Sequence, residues 1–329
     1  MNRKSWLYGG FYVTVGLVFV GSLLGIVLTG PVVVRVPRFD MGVHPSAERL
    51  RSSVEKLCSE FTPRSYRDVR NLDRAADWIA GRFRDSGLDV ELQEYGIETA
   101  VYRNVIARRA GNDPAAGVIV IGAHYDAYGD MPGADDNASG VAVLLELART
   151  LPDVQHRRTH YLVAFSTEEP PHFGTDDMGS YVFARELRQR GVDVALMVAL
   201  DLVGFYSDEP GSQRFPSAAF RLLYPGRGNF IAVLGDLQAG SGIESAKRGM
   251  LAGGRLPVHS LRAPVSTELV HMSDHRSFRR LGFPGVLVTD TAFMRYPHYH
   301  KAEDTPEKLD YKRMAELVKS LHGILWEAS

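Results

Sequence analysis

Four short runs constrain the fold of this chain more than anything else in it. GVIVIGA, HYLVAFS, VALMVAL and PGVLVTD are apolar at odd and even positions alike. Successive side chains of a strand point to opposite faces, so such runs belong to a sheet covered on both sides. Amphipathic helical stretches lie between and around them, at 48–61, 71–87, 138–150 and 179–190 and in the final segment from residue 310. In the second, Leu72, Ala75, Ala76, Ile79 and Phe83 share one face, and Gly87 is a natural stop. DVELQEY, YRNVIARRA and NFIAVLG read as further strands. Strands that alternate with helices predict an α/β chain around a largely parallel or mixed sheet. No repeat or linker interrupts residues 48–329, which read as one domain.

The N-terminus obeys different physics. No charge occurs from Ser5 to Val34, and about 20 apolar residues suffice to cross a bilayer as a helix. Residues 1–35 therefore read as a cytoplasmic stub with a transmembrane signal anchor, and 36–47 as a tether to the domain at 48–329. Arg3 and Lys4 precede the span, which predicts a single-pass cell-membrane protein with its catalytic part outside the cytoplasm. Lys and Arg total 38 against 39 Asp and Glu, a balance without the basic excess of a nucleic-acid partner. Cys58 is the single cysteine, which excludes an intrachain disulfide; its amphipathic setting suggests a buried structural thiol.

In covered sheets of this kind, ligands bind beyond the carboxyl ends of the strands. The four apolar runs end in acid or histidine: His124 with Asp126, the pair Glu168–Glu169, Asp201, and, through MRYPHY, His300. A Gly- and Pro-containing loop adds Asp135 and Asp136. Buried carboxylates repel unless a cation joins them. Histidine beside carboxylate favours Zn²⁺ or a related transition ion over Ca²⁺ or Mg²⁺. Two histidines and three acids exceed one tetrahedral sphere and suit two ions bridged by a carboxylate.

HYDAYGDMPGADDNASGVA, FSTEEP, ALDLVGF, SDHRSFRRLGFPGVLVTDTAF and YHKAEDTPEKLDY occur in this order over roughly residues 50–328. The set resembles the five motifs of the M28 family of co-catalytic zinc aminopeptidases, here a membrane-anchored bacterial-type member. The resemblance implies a three-layer α/β/α sandwich, two zinc ions, and peptide substrates with a free N-terminus. It implies that His124 and Asp201 bind one ion, that Glu169 and His300 bind the second, and that Asp135 bridges them. Glu168 is then the general base toward a water between the ions, and Asp126 orients His124. Asp136 resembles the family position joined to the bridging aspartate by a cis peptide, and Asp274 resembles an acid that some relatives use near the substrate; both are candidates to touch substrate or to stand behind the metal ligands.

Other acids and histidines take ordinary readings. Asn137 and Ser139 read as caps and turn residues, Asp130, Asp176 and Asp177 as loop acids, and His271 and His275 as packing groups. His156 and His160 flank an Arg–Arg turn and are expected to face solvent. Two other functions share the resemblance: a glutaminyl-cyclase-like acyltransferase, in which the first acidic motif is altered toward DSA, and a non-catalytic peptide-binding module. The intact DDNASG and the full ligand set favour the aminopeptidase. The stretch EEPPHFGTDDMGS is longer than the commoner family link and is expected to shape the substrate pocket, and the loop 206–229 to form a lid.

Overall fold

A computed structural model describes residues 36–327 apart from 152–155, 217, 265–266 and 268–269, together with residues 14, 16, 17 and 19–21. The expected span at 5–34 lies almost wholly outside the described residues. Among the described residues, no helix is long and apolar enough to cross a membrane. The segment at 36–46 has no regular structure, but Phe39 N–H donates to the Ala252 carbonyl and Ser46 N–H to Glu146.

The first two helices, α1 (Ala47–Glu60) and α2 (Val69–Asp85), start at Ser46 and Asp68, whose side chains accept the N–H groups of Arg49 and Asn71. Strands β1 (Asp89–Ile97) and β2 (Ala100–Arg109) form an antiparallel hairpin. Then follow β3 (Val118–His124), α3 (Gly140–Thr150), β4 (Thr159–Phe165), α4 (Gly179–Gln189) and β5 (Val194–Leu200). The chain finishes with β6 (Ile231–Asp236), α5 (Gly240–Gly253), β7 (Val258–Ala263), α6 (His275–Arg280), β8 (Gly285–Thr289) and α7 (Tyr311–Glu327).

All eight strands join one mixed sheet in the order β1-β2-β4-β3-β5-β8-β6-β7. Its centre, β4-β3-β5-β8, is parallel, while β2 joins β4 and β6 joins β8 antiparallel. Period-two burial divides the core. Ile119, Ile121, Leu196, Val198 and Leu200 pack on one face with α1, α2, α3, α5 and α7. Val118, Val120, Met197 and Ala199 pack on the other with Phe183 and Leu187 of α4 and Phe278 of α6. Two helical layers thus enclose the sheet. On α7, Met314, Leu317, Val318, Leu321, Ile324 and Leu325 are all buried, as their helical spacing requires.

Because the four central strands run in parallel, their carboxyl ends meet at one edge. The helical start expected at 138 is instead a wide turn over Ala134–Ser139, and the regular helix begins at Gly140. Asn137 closes the turn: its Oδ1 accepts the Gly140 N–H and its Nδ2 donates to the Leu200 carbonyl.

Candidate metal centre

His124 is the last residue of β3 and has no accessible surface. Its Nδ1 lies 3.1 Å from the Asp126 carbonyl and 3.4 Å from the Asp126 carboxylate. Its Nε2 points into the strand-end cleft, 3.3 Å from Asp136 Oδ1, 3.5 Å from Asp201 Oδ1 and 3.9 Å from Glu168 Oε2. His300 approaches from the other side, with Nε2 3.1 Å from Asp136 Oδ2 and 3.4 Å from Glu169 Oε2. Its ring is sandwiched between Tyr128, at 4.2 Å, and Tyr299, at 3.8 Å. His298 packs edge-on against Tyr296 instead.

One carboxylate therefore faces both histidines, and it belongs to Asp136 rather than Asp135. The cis peptide follows Asp136, joining it to Asn137. Asp135 turns into the protein: its Oδ1 accepts the Gly204 N–H at 2.7 Å, and its carboxyl meets that of Asp290. This corrects the expectation that placed Asp135 between the two ions. Within the turn, Asp136 (φ −109°, ψ 85°) and Asn137 (φ −136°, ψ 40°) leave helical geometry, so the two adjacent carboxylates diverge.

Asp274, expected near the substrate or behind the metal ligands, is enclosed by protein. It is fully buried behind the site, and neither carboxyl oxygen has a hydrogen-bond partner. Burial pushes its pKa up to about 7. It is not among the residues that line the cleft, and it lies close enough to His124 and Asp201 to feel their charge.

The electrostatics follow from this geometry. Burial opposes charge on His124, yet Glu168, Asp126, Asp136 and Asp201 outweigh it and hold the ring well above the usual histidine range. Burial likewise opposes charge on His300, but Asp136 and Glu169 raise it to about 10. Burial raises Asp136, and the two histidines overcome that and pull it below the carboxylate range. Burial, Asp290 and Asp304 drive its neighbour Asp135 the other way, well up. Burial also raises Glu168, reinforced by Asp201 and Glu169, and lifts Glu169 to about 7.

The donor set fits divalent cations. His124 Nε2, Glu168 Oε1, Glu169 Oε1 and Asp201 Oδ1 are buried without hydrogen-bond partners, a costly state that coordination would relieve. The ligand atoms of His124, Asp136 and Glu169 lie within 4.8 Å of one another, as do those of His124, Glu168 and Asp201.

The family model for peptidase family M28 matches residues 104–324. The chain belongs to peptidase family M28. As an M28 member it is an enzyme of the hydrolase class. It is 40% identical over 294 residues to the uncharacterised protein YfbL of Escherichia coli, covering 87% of this chain and 89% of that one. Its fold is similar to that of a zinc aminopeptidase from Bacillus subtilis, with a TM-score of 0.68, 17% identity and coverage of 87% and 96%. It is also similar to the glutaminyl cyclase of Porphyromonas gingivalis, with a TM-score of 0.65, 20% identity and coverage of 87% and 99%. The same sandwich thus accompanies two chemistries, and only the site can separate them.

Behind the M28 site two acids, Asp126 and Asp304, hold the loops that carry the ligands. Asp126 accepts the N–H groups of Glu168 and Glu169, at 3.2 and 3.0 Å. Asp304 does the same for Asp135 and Asp136, at 2.8 and 3.1 Å, and also accepts the Tyr296 hydroxyl. Each buried carboxylate clips two successive amides, so the strand-end loops are fixed by charge-assisted bonds. Arg64, fully buried, donates to the carbonyls of Leu57, Tyr125 and Gly133 and pins the turn from beneath. Gly133 adopts φ +59°, and a Cβ there would lie 2.4 Å from the Asp136 carbonyl oxygen. Spacing alone offered no signal for Arg64; Asp304 stood in the YHKAEDT motif without a role.

Proposed function

We propose that the chain is a two-zinc aminopeptidase, in which Asp136 bridges the ions, His124 and Asp201 complete one site, and Glu169 and His300 the other. The observation that carries this reading is the Asp136 carboxylate, one oxygen toward each histidine at 3.3 and 3.1 Å. The ions would neutralise the buried carboxylates, polarise the scissile carbonyl and acidify an attacking water. Glu168 is the general base: it sits at the same strand exit as Glu169 but farther from any histidine, with a free oxygen in the cleft. It takes the proton from the attacking water and passes it to the leaving amine. Asp126 holds both this glutamate and the His124 ring in position.

The free α-amine of a peptide suits the surplus of carboxylates at this end of the cleft. An apolar pocket lined by Phe215, Phe220, Phe230, Met272 and Leu287 adjoins the centre at Asp201 and Tyr299, and would receive a bulky apolar N-terminal side chain. Its Phe215, Phe220 and Tyr224 rings stack in the loop between β5 and β6. The peptidase acts outside the cytoplasm, anchored in the bilayer through residues 5–34; protease digestion of intact spheroplasts should degrade the domain, and protection would refute this placement.

Metal analysis with aminoacyl-nitroanilides tests the reaction. The proposal expects two zinc ions and chelator-sensitive release of the N-terminal residue, abolished by N-acetylation. One ion with cyclisation of N-terminal glutamine, or no turnover, overturns it.

A further inference from the structure

A single cleft of about 790 Å³ runs from the metal centre to α6. Its lining includes Asp136, Glu168, Glu169 and Asp201 and, on α6, Arg276, Arg279 and Arg280. Two of these arginines are already engaged. Arg279 forms a two-pronged pair with Asp236, at 2.9 and 3.1 Å, and also donates to Gln238 and the Phe283 carbonyl. Arg280 pairs with Asp176 at 2.7 Å.

Arg276 differs. It is half-buried, and among the described residues no acid or carbonyl takes its donors. Its guanidinium lies 5.3 Å from the centre of the Phe173 ring. Gly174, at φ +76°, makes room for it, since a Cβ there would sit 3.2 Å from the Arg276 Cζ. The loop that places Phe173 and Gly174 is the long EEPPHFGTDDMGS segment, which starts at the catalytic-site glutamates. A guanidinium oriented by an aromatic face, with unused donors in a cleft, is built to take a planar anion. The acids across the cleft already face the two histidines.

We propose that Arg276 binds a substrate carboxylate on the far side of the scissile bond, so that the enzyme favours peptides whose leaving group is anionic. This inference rests on the aminopeptidase reading and assigns the substrate class of the same cleft. The carboxylate has two possible sources: the C-terminus of a dipeptide, or an acidic side chain at the second residue.

Three substrates separate the sources in the zinc-loaded, full-length protein: Leu-Ala, Leu-Ala amide and Leu-Asp amide. A carboxylate held by a guanidinium should improve kcat/KM about 10- to 100-fold over Leu-Ala amide, chiefly through KM. An advantage for Leu-Ala identifies the C-terminus, and one for Leu-Asp amide identifies the side chain. In Arg276→Met, which keeps packing on Phe173, that advantage should shrink to near parity, and Arg276→Lys should recover part of it. Circular dichroism confirms that the variants fold. No advantage in the wild type, or one that survives Arg276→Met, overturns the proposal. Calorimetric binding of Leu-Ala against its amide gives the same comparison without turnover. Binding selectivity that Arg276→Met abolishes, without hydrolysis of any of the three, would sink the aminopeptidase reading and leave only the carboxylate contact at Arg276.

Discussion

Two groups of histidines, all buried except the half-buried His300, sit at opposite ends of the central parallel strands. At the carboxyl ends, His124 and His300 face four carboxylates, and both rings are raised despite burial. At the other end, His160 is the second residue of β4 and lies beside His156, their rings 4.6 Å apart, with His322 of α7 near them. There burial, then neighbouring His156 and Arg109, drop His160 to about 3, and burial followed by His156 takes His322 to about 4. Burial penalises the charged ring at both ends. What differs is surplus negative charge, and only that end needs cations. The other end is neutral packing, with Thr150 meeting the His322 Nε2 at 2.8 Å.

The largest effect should come from removing the acid that both raised histidines share. Asp136→Ala should abolish nearly all turnover, a loss beyond the ~10²–10⁴-fold that a general base contributes. Asp135→Asn should retain most activity and lose mainly stability, because its partner is the Gly204 amide. Equal peptidase losses in the two variants would erase the distinction between these neighbours.

Glu168→Gln should follow, with turnover down ~10²–10⁴-fold and both metals kept. Near wild-type rates would remove Glu168 from the chemistry. Asp126→Asn and Asp304→Asn should cost less, about 10- to 100-fold in metal affinity or activity, because each acts by holding two amides. Titration with a competing chelator would show it, and unchanged affinity would reduce both acids to bystanders.

The smallest effect belongs to the neutral end. The folded pKa of His160 lies below its ordinary 6.5, so above pH 6.5 both states are neutral and its contribution is fully present. As pH falls, the unfolded chain binds the proton first, and stability drops by about 1.4 kcal/mol per pH unit for such a group. Urea unfolding of metal-free protein between pH 7 and 5 should show this slope, and His160→Gln should flatten it. Identical slopes would mean that the ring is not held neutral.

The sheet was legible because strands buried on both faces leave nothing polar to confuse the period, and the site because four of them end in acid or histidine. Two readings failed for physical reasons. Asp135 and Asp136 are adjacent, and the backbone angles at 136 and 137, which no spacing reveals, decide which one faces the cleft. His156 and His160 were expected to face solvent beside their arginines, but both are buried; part of their cover comes from α7, far along the chain. Cys58 is half-buried, and burial lifts its thiol to about 11, in keeping with an unreactive role.

The central claim is that two cations share Asp136. A crystal grown with zinc and measured at its absorption edge tests this directly. The account predicts two anomalous peaks about 3.5–4 Å apart, one beside His124 and Asp201, the other beside His300 and Glu169, with the Asp136 carboxylate between them. A single peak, or a pair bridged by Asp135, would contradict it.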